Sequence, residues 1–191
     1  MYSGSILASP PDAKILINET ATAAPKSSNT IDTVVDVGKP KVLYRSSKSI
    51  SVSITAKKIV ITAGPTYEPI DPVRFIGNHS SGKMGYALAN AAAQQGADVT
   101  LISGPTAGNT THPNVSVVPV TTAVEMLAAC MDVYNNSDAL IMAAAVADFQ
   151  PTEQAQQKIK KQAGIPTLSL TPTPDILSKL GEAKKNQILI G

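Results

Sequence analysis

From residue 57 onward the apolar positions fall into short runs that alternate with stretches of helical spacing. Residues 57–63 (KKIVITA) predict a strand ended by Gly64-Pro65. Residues 83–95 predict a helix closed by Gly96. Residues 97–102 (ADVTLI) predict a second strand, cut by Gly104-Pro105, and residues 115–119 a third. Residues 121–135 predict a second helix, with Thr121 or Thr122 as cap and Glu125 completing a capping box. Residues 139–145 (ALIMAAA) are apolar on both faces, which marks a central strand. Residues 167–170 predict a fifth strand. Residues 173–185 predict a third helix, with Thr173 as cap and Pro174 at its first position. Residues 187–190 predict a last strand. The order predicts an α/β fold: a Rossmann-like, doubly wound, mainly parallel sheet with helices on both faces.

Residues 1–56 differ. They are rich in Ser, Thr, Ala and Pro and hold no sustained period. They read as a low-complexity, disordered N-terminal segment or linker, or as a small β element docking on the core. The domain proper is then 57–191. Formal net charge is +2, which gives no electrostatic case for nucleic acid or membrane binding. The single cysteine, Cys130, forms no internal disulfide and sits in a helical pattern as a core residue. No run approaches the ~20 apolar residues of a membrane helix. No charged-then-apolar start suggests a signal peptide, so a cytoplasmic location is expected.

In a doubly wound sheet, ligands bind beyond the carboxyl ends of the strands. The loop after the first strand, residues 64–82, is long for a structureless connection, and such loops are usually functional. It ends GNHSSG at a helix start, where free N–H groups and the positive dipole end face outward. Ser80, Ser81, Gly82 and Lys83 therefore form a candidate anion cradle. The plainer alternative is a loop held by its own hydrogen bonds, with Ser81 capping the helix. Residues 77–83 also carry the G-x-x-x-x-G-K spacing of a triphosphate loop. That reading fails, because the strand does not run into the glycines and Met84 replaces the metal-binding hydroxyl. Met84 is expected in the core of the following helix. Beyond residue 145, Asp148 is placed to hold ribose hydroxyls or a metal. Lys158, Lys160 and Lys161 follow, either as a solvated face or as mobile cations opposite the cradle. Thr173-Pro174-Asp175-Ile176 is another helix start near the same edge, with ordinary capping as the alternative. His79, His112 and Cys130 lack metal-ligand spacing, and the metal ligands stay unknown.

Together the stretches ITAGPTYEPIDPVRFIGNHSSGKMGYALA, ADVTLISGPT, AAAVADFQP followed by KIKK, and TPDIL resemble the phosphopantothenoylcysteine synthetase (phosphopantothenate–cysteine ligase) family. This is the second activity of the bacterial bifunctional coenzyme A biosynthesis protein. The resemblance covers residues 57–191 and implies an amide-forming ligation. The carboxylate of 4′-phosphopantothenate attacks CTP, giving an acyl cytidylate and pyrophosphate, and the amine of L-cysteine then displaces CMP. Mg2+ assists. By motif, Asn78 is implied to steady the acyl cytidylate and Lys158 to contact nucleotide and support turnover. Met142, Ala143 and Ala144 are implied to read the cytosine, and Asp148 to bind nucleotide. Pro174, Asp175, Ile176 and Leu177 form a further CTP-contacting turn, and Gly64 with residues 80–83 takes phosphate.

The family pattern continues past QILIG with a phenylalanine, further lysines and additional strands, some of them used in dimerisation. The 191-residue chain is therefore expected to bind CTP poorly and to be inactive alone, and a homodimer is expected only of a complete protein. The alternative is a truncated nucleotide-binding module without ligase activity. Residues 1–56 do not resemble the flavin-dependent decarboxylase that precedes this domain in bifunctional relatives. FMN is implied only if such a partner domain is fused or associated upstream.

Overall fold

A computed structural model describes residues 53–161 and 167–191. The sequence reading of residues 1–56 falls almost wholly outside them. In chain order the elements are β1 (Lys58–Ala63), β2 (Tyr67–Pro69), β3 (Phe75–Gly77), α1 (Lys83–Gln94), β4 (Asp98–Ser103), β5 (Val115–Pro119), α2 (Ala123–Tyr134), β6 (Ala139–Met142), β7 (Phe149–Pro151), β8 (Leu170–Pro172), α3 (Ile176–Glu182) and β9 (Ile188–Ile190).

Five strands form one sheet in the order β5-β4-β1-β6-β9, and every neighbouring pair is parallel. The chain winds outward from β1 through β4 and β5, then returns to the other side of β1 for β6 and β9. The winding direction thus reverses between β1 and β6, and doubly wound folds place their ligand crevice outside the carboxyl ends of the strands at such a reversal. β1, not β6, is the middle strand, although β6 is interior as its two-sided apolar pattern requires.

Both faces of the sheet are covered. Val60, Ile102 and Leu140 pack with Met126, Cys130 and Tyr134 of α2 and with Ile176 and Leu180 of α3. Ala63 has the opposite parity to Val60 and so points to the other face, where Gly85 of α1 lies against it. The buried residues of α1 are Gly85, Ala89, Ala92 and Ala93, a single stripe of small side chains. They let the helix approach the sheet closely. Burying a medium-sized aliphatic side chain stabilises by about 1.5–3 kcal/mol, so this Ala-rich face relies on contact at short range rather than on area.

Helix ends follow local chemistry. Thr122 caps α2, accepting from the Glu125 N–H at 3.2 Å, while the Glu125 carboxylate accepts from the Thr122 N–H at 3.3 Å. Gly96, with φ +87°, turns the chain out of α1, as its position after the helix requires.

Four expectations are corrected. The loop of residues 64–82 is not structureless: β2 and β3 pair antiparallel within it, and Tyr67 stacks on Phe75 at 3.8 Å between ring centroids. The strand placed at 139–145 ends at Met142, and only an isolated bridge between Pro65 and Ala145 continues its line. The strand placed at 167–170 is β8, which starts at Leu170 and pairs antiparallel with β7 outside the main sheet. The third helix starts at Ile176. Asp175 caps it by accepting from the Ser178 N–H at 2.9 Å, because the Thr173 hydroxyl donates instead to the Ala147 carbonyl at 2.6 Å.

Candidate functional site

The start of α1 is open. Gly82 is its N-cap residue, with φ +70°, and no side chain caps it. An L side chain is strained at that angle, and a Cβ there would lie 3.2 Å from the Gly64 nitrogen. A Cβ on Gly64 would in turn collide with the Thr106 methyl. Gly64, Gly82 and Thr106 therefore close on one another at the carboxyl edge of β1 and β4. Ser80 turns its hydroxyl inward to accept from the Gly82 N–H at 3.3 Å, while Ser81 and Lys83 are exposed. A helix start of this kind attracts anions through its free N–H groups and dipole. Met84, expected in the core, is 64% exposed. The helix buries Gly85 and Ala89 instead, so Met84 falls on the outer face.

Asn78 follows β3 directly. Its side-chain amide donates to the carbonyls of Val146 at 2.9 Å and Ala145 at 3.4 Å. The backbone leaving β6 is held from the β1 side as well. The Thr62 hydroxyl oxygen accepts from the N–H groups of Ala143 and Ala144, both at 3.1 Å, and its proton points to the Met142 sulfur. Thr66 Oγ1 accepts from the Ala147 N–H at 2.9 Å. Residues 142–147 are thus shaped by the end of β1 and the segment that follows it, through these side chains and through backbone bonds of Ala145 with Gly64 and Thr66. Asp148 is exposed, and its carbonyl accepts from the Thr173 N–H at 3.0 Å, which brings the start of the 173–177 turn alongside.

The lysine segment is tied to the β2–β3 hairpin. The Asp71 side chain is fully buried and accepts from the N–H groups of Val73 and Arg74, each at 2.9 Å. Its other oxygen accepts from Arg74 Nε and Nη2 and from the Ile159 N–H at 3.1 Å. Arg74 Nη2 also donates to the Ile159 carbonyl at 3.0 Å. The Arg74 guanidinium, with the backbone donors, holds the Asp71 carboxyl well below the ordinary carboxylate range. Lys158, Lys160 and Lys161 form no ion pair among the described residues, and all three are exposed.

The predicted site residues thus form three groups on one edge: Gly64 with Ser80–Lys83, Asn78 with the 142–148 backbone, and the 173–177 turn beside Asp148. No hydrogen bond among the described residues joins Lys158 to the α1 start. Ile176 is 3% exposed and lies in the core cluster, so its side chain cannot meet a ligand. Asp175 uses one carboxylate oxygen as the α3 cap, Leu177 is exposed, and Pro174 precedes the helix rather than starting it. The sequence reading missed Thr62, Thr66, Asp71 and Glu68. Glu68 is 1% exposed, one oxygen accepting from the Ala123 N–H at 2.9 Å and the other without a partner among the described residues. Its carboxyl group lies at the start of α2. The pattern of TYEP gives no warning of this, since its buried positions are the polar Thr66 and Glu68 while Tyr67 and Pro69 are only partly buried.

The family model described as DNA/pantothenate metabolism flavoprotein C-terminal domain matches residues 54–191. The chain belongs to this family. Among relatives of this C-terminal domain family, the coenzyme A biosynthesis bifunctional protein CoaBC of Bacillus subtilis (strain 168) is 52% identical over 145 residues, 76% of this chain and 36% of that protein. A cysteine/cysteine sulfinic acid decarboxylase from an unknown prokaryotic organism is 44% identical over 158 residues, 82% of this chain and 44% of that protein. The chain therefore spans less than half the length of these relatives. The crystal structure of the C-terminal domain of CoaBC superposes with a TM-score of 0.62 at 47% identity, covering 73% of this chain and 65% of that one. The doubly wound fold is shared with it. No helix among the described residues is long and apolar enough to cross a membrane.

Proposed function

We propose that this chain is the ligase module of coenzyme A biosynthesis that joins 4′-phosphopantothenate to L-cysteine through an acyl cytidylate. The observation that carries the reading is Asn78 at the mouth of the crevice, its amide bonded to the backbone that leaves β6 and only four residues from the open start of α1. The kinship with coenzyme A biosynthesis bifunctional proteins supports it.

In this reading the carboxylate oxygen of 4′-phosphopantothenate attacks the α-phosphorus of CTP and expels pyrophosphate. The cysteine amine then attacks the acyl carbon, loses a proton and expels CMP. Gly64, Ser80, Ser81, Gly82 and Lys83 take phosphate at the α1 start. Met142, Ala143 and Ala144 present the base-reading backbone, held in shape by Thr62. Asp148 and the 174–177 turn line the nucleotide side. Asn78, its NH2 donating to the Ala145 and Val146 carbonyls, is placed to steady the acyl cytidylate, and Lys158 offers a cation for the charge that develops on phosphate. Among the described residues no group of three or more His, Cys, Asp and Glu side chains stands ready for a metal. Mg2+ would then arrive on the nucleotide, which suits its habit of binding through phosphates and water. A cytoplasmic location, a homodimer and a fused or associated flavin-dependent decarboxylase with FMN complete the proposal for the whole protein.

The test is pyrophosphate release from CTP, with and without 4′-phosphopantothenate. It is run on this chain and on a chimera in which the Bacillus subtilis relative supplies the sequence following the matched region. The chimera is expected to release pyrophosphate only when 4′-phosphopantothenate is present, and the chain alone to be silent. Nucleotide binding by the chimera without phosphopantothenate-dependent release would instead support a binding module. Within the chimera, Asn78→Asp is expected to slow consumption of the acyl cytidylate more than it weakens CTP binding. Equal losses would contradict the role given to Asn78.

A further inference from the structure

We infer that Asp71 and Arg74 form a clasp that sets the position of Lys158, making Asp71 a positioning residue for the cation of the site. The inference rests on the ligase reading for what Lys158 does, but not for the clasp itself.

The geometry is specific. Ile159 lies between Lys158 and Lys160, and both of its backbone polar groups are taken by the pair: its N–H donates to Asp71 Oδ2 at 3.1 Å and its carbonyl accepts from Arg74 Nη2 at 3.0 Å. Asp71 and Arg74 thus treat Ile159 as a neighbouring strand would. A second tether joins the same stretch to the hairpin, where the Ala155 N–H donates to the Ile70 carbonyl at 3.0 Å. Residues 158–160 make no strand or helix of their own. Their placement is therefore borrowed from the turn between β2 and β3. That turn is rigid: Asp71 Oδ1 accepts from two of its N–H groups, and Pro72 restricts the backbone between them. The hairpin that carries the clasp at its turn carries Asn78 at its exit, directly after β3. One small unit consequently fixes both the amide donor and the lysine.

An ion pair with one member this buried would be poor evidence for stability on its own. Here the carboxylate also satisfies three backbone N–H groups, so it works as a junction between two segments 88 residues apart. The two carboxylate oxygens divide the work. Oδ1 serves the turn, and Oδ2 serves Arg74 and Ile159. Asp71→Asn separates these tasks. The amide oxygen keeps the turn, while the amide NH2 faces three donors and releases the lysine segment.

Amide hydrogen exchange on this chain tests the clasp directly. In Asp71→Asn the Ile159 amide is expected to exchange about 10–100-fold faster, the range set by losing a hydrogen bond to a charged acceptor, and by a larger factor than Val60 and Ile61 in β1, which report only the loss of global stability. Unchanged exchange at Ile159 overturns the clasp. A double-mutant cycle in the protein used for the pyrophosphate assay tests positioning. Asp71→Asn alone is expected to lower kcat about tenfold or more, but by less than about twofold in a Lys158→Ala background, because the two act through one cation. Equal losses in both backgrounds overturn the assignment to Lys158. Absence of phosphopantothenate-dependent release in the unmutated protein counts against the ligase reading alone, and Ile159 exchange then decides the clasp.

Discussion

Replacing Gly85 by alanine tests the close approach of α1 to the sheet. In a helix interior the change from glycine to alanine should gain about 1 kcal/mol. At Gly85 the new Cβ would meet Ala63 Cβ at 2.5 Å and the Thr62 carbonyl oxygen at 2.8 Å. Carbon atoms prefer about 3.5–4.0 Å, so roughly 1 Å must be found. Neither neighbour can give, since both belong to β1, which is paired on each side. The helix has to lift, and overpacking of this kind costs about 1–3 kcal/mol. The expected net effect is a loss of up to about 2 kcal/mol despite the better propensity. Gly181→Ala is the matched control. Gly181 lies inside α3 with nothing within 4 Å of its would-be Cβ, so the same chemistry should stabilise by about 0.5–1 kcal/mol. Urea unfolding followed by far-UV circular dichroism measures both, with the slope checked for constancy. If Gly85→Ala stabilises as much as Gly181→Ala, the reasoning about helix approach is wrong.

Other outcomes follow from single features. Thr122→Ala removes half of the α2 capping box and should cost about 1 kcal/mol, or about 2–6 °C in Tm by calorimetry; no change would mean that Glu125 holds the end alone. Cys130 is fully buried, and burial pushes its thiol up to about 12, so a thiol reagent at pH 8 should label it only after denaturant is added. The Asp71 carboxyl is depressed in the folded protein, so its contribution is fully present above the unfolded value of about 3.9 and is lost as pH falls through the folded one. The stability gap between the natural chain and Asp71→Asn should therefore be constant from pH 5 to 7 and shrink below about pH 4; a gap that shrinks already between pH 7 and 5 would point to a different group.

The sheet and two of its helices were legible because their signals are local. KKIVITA, ADVTLI and ALIM announce strands by composition, and Thr122 with Glu125 announces a helix start within one turn. The hairpin was not legible. Its strands are three residues each, with Pro69 ending the first and Pro72 in the turn between them, so no alternation has room to develop. Thr173 against Asp175 shows the same limit. Both are good caps, and the choice was made by the Ala147 carbonyl, 26 residues away. Met84 was misplaced because it was expected to be a core residue of the helix, whereas the buried stripe runs through the small residues Gly85 and Ala89. Asn78 entered as a site candidate with a role through the family resemblance, and Lys158 through the lysine run and then the resemblance. Thr62, Thr66 and Asp71 were not found, because a threonine ending a strand or an aspartate before a proline looks ordinary until its distant backbone partner is known.

Those distant partners have a consequence for how the molecule comes into being. The hydrogen bonds that shape the crevice span 67 and 68 residues for Asn78, 81 and 82 for Thr62, 81 for Thr66 and 88 for Asp71. Closing such long loops costs entropy before any bond returns it, so these contacts form only after β6 has found β1. A chain emerging from the ribosome can build β1, α1 and β4 early, yet it has no crevice until residue 147 is free and no placed lysine until residue 159 follows. Until then only the open end of α1 stands at that edge. The binding edge is thus a late product of folding, complete only when the two halves of the sheet have met.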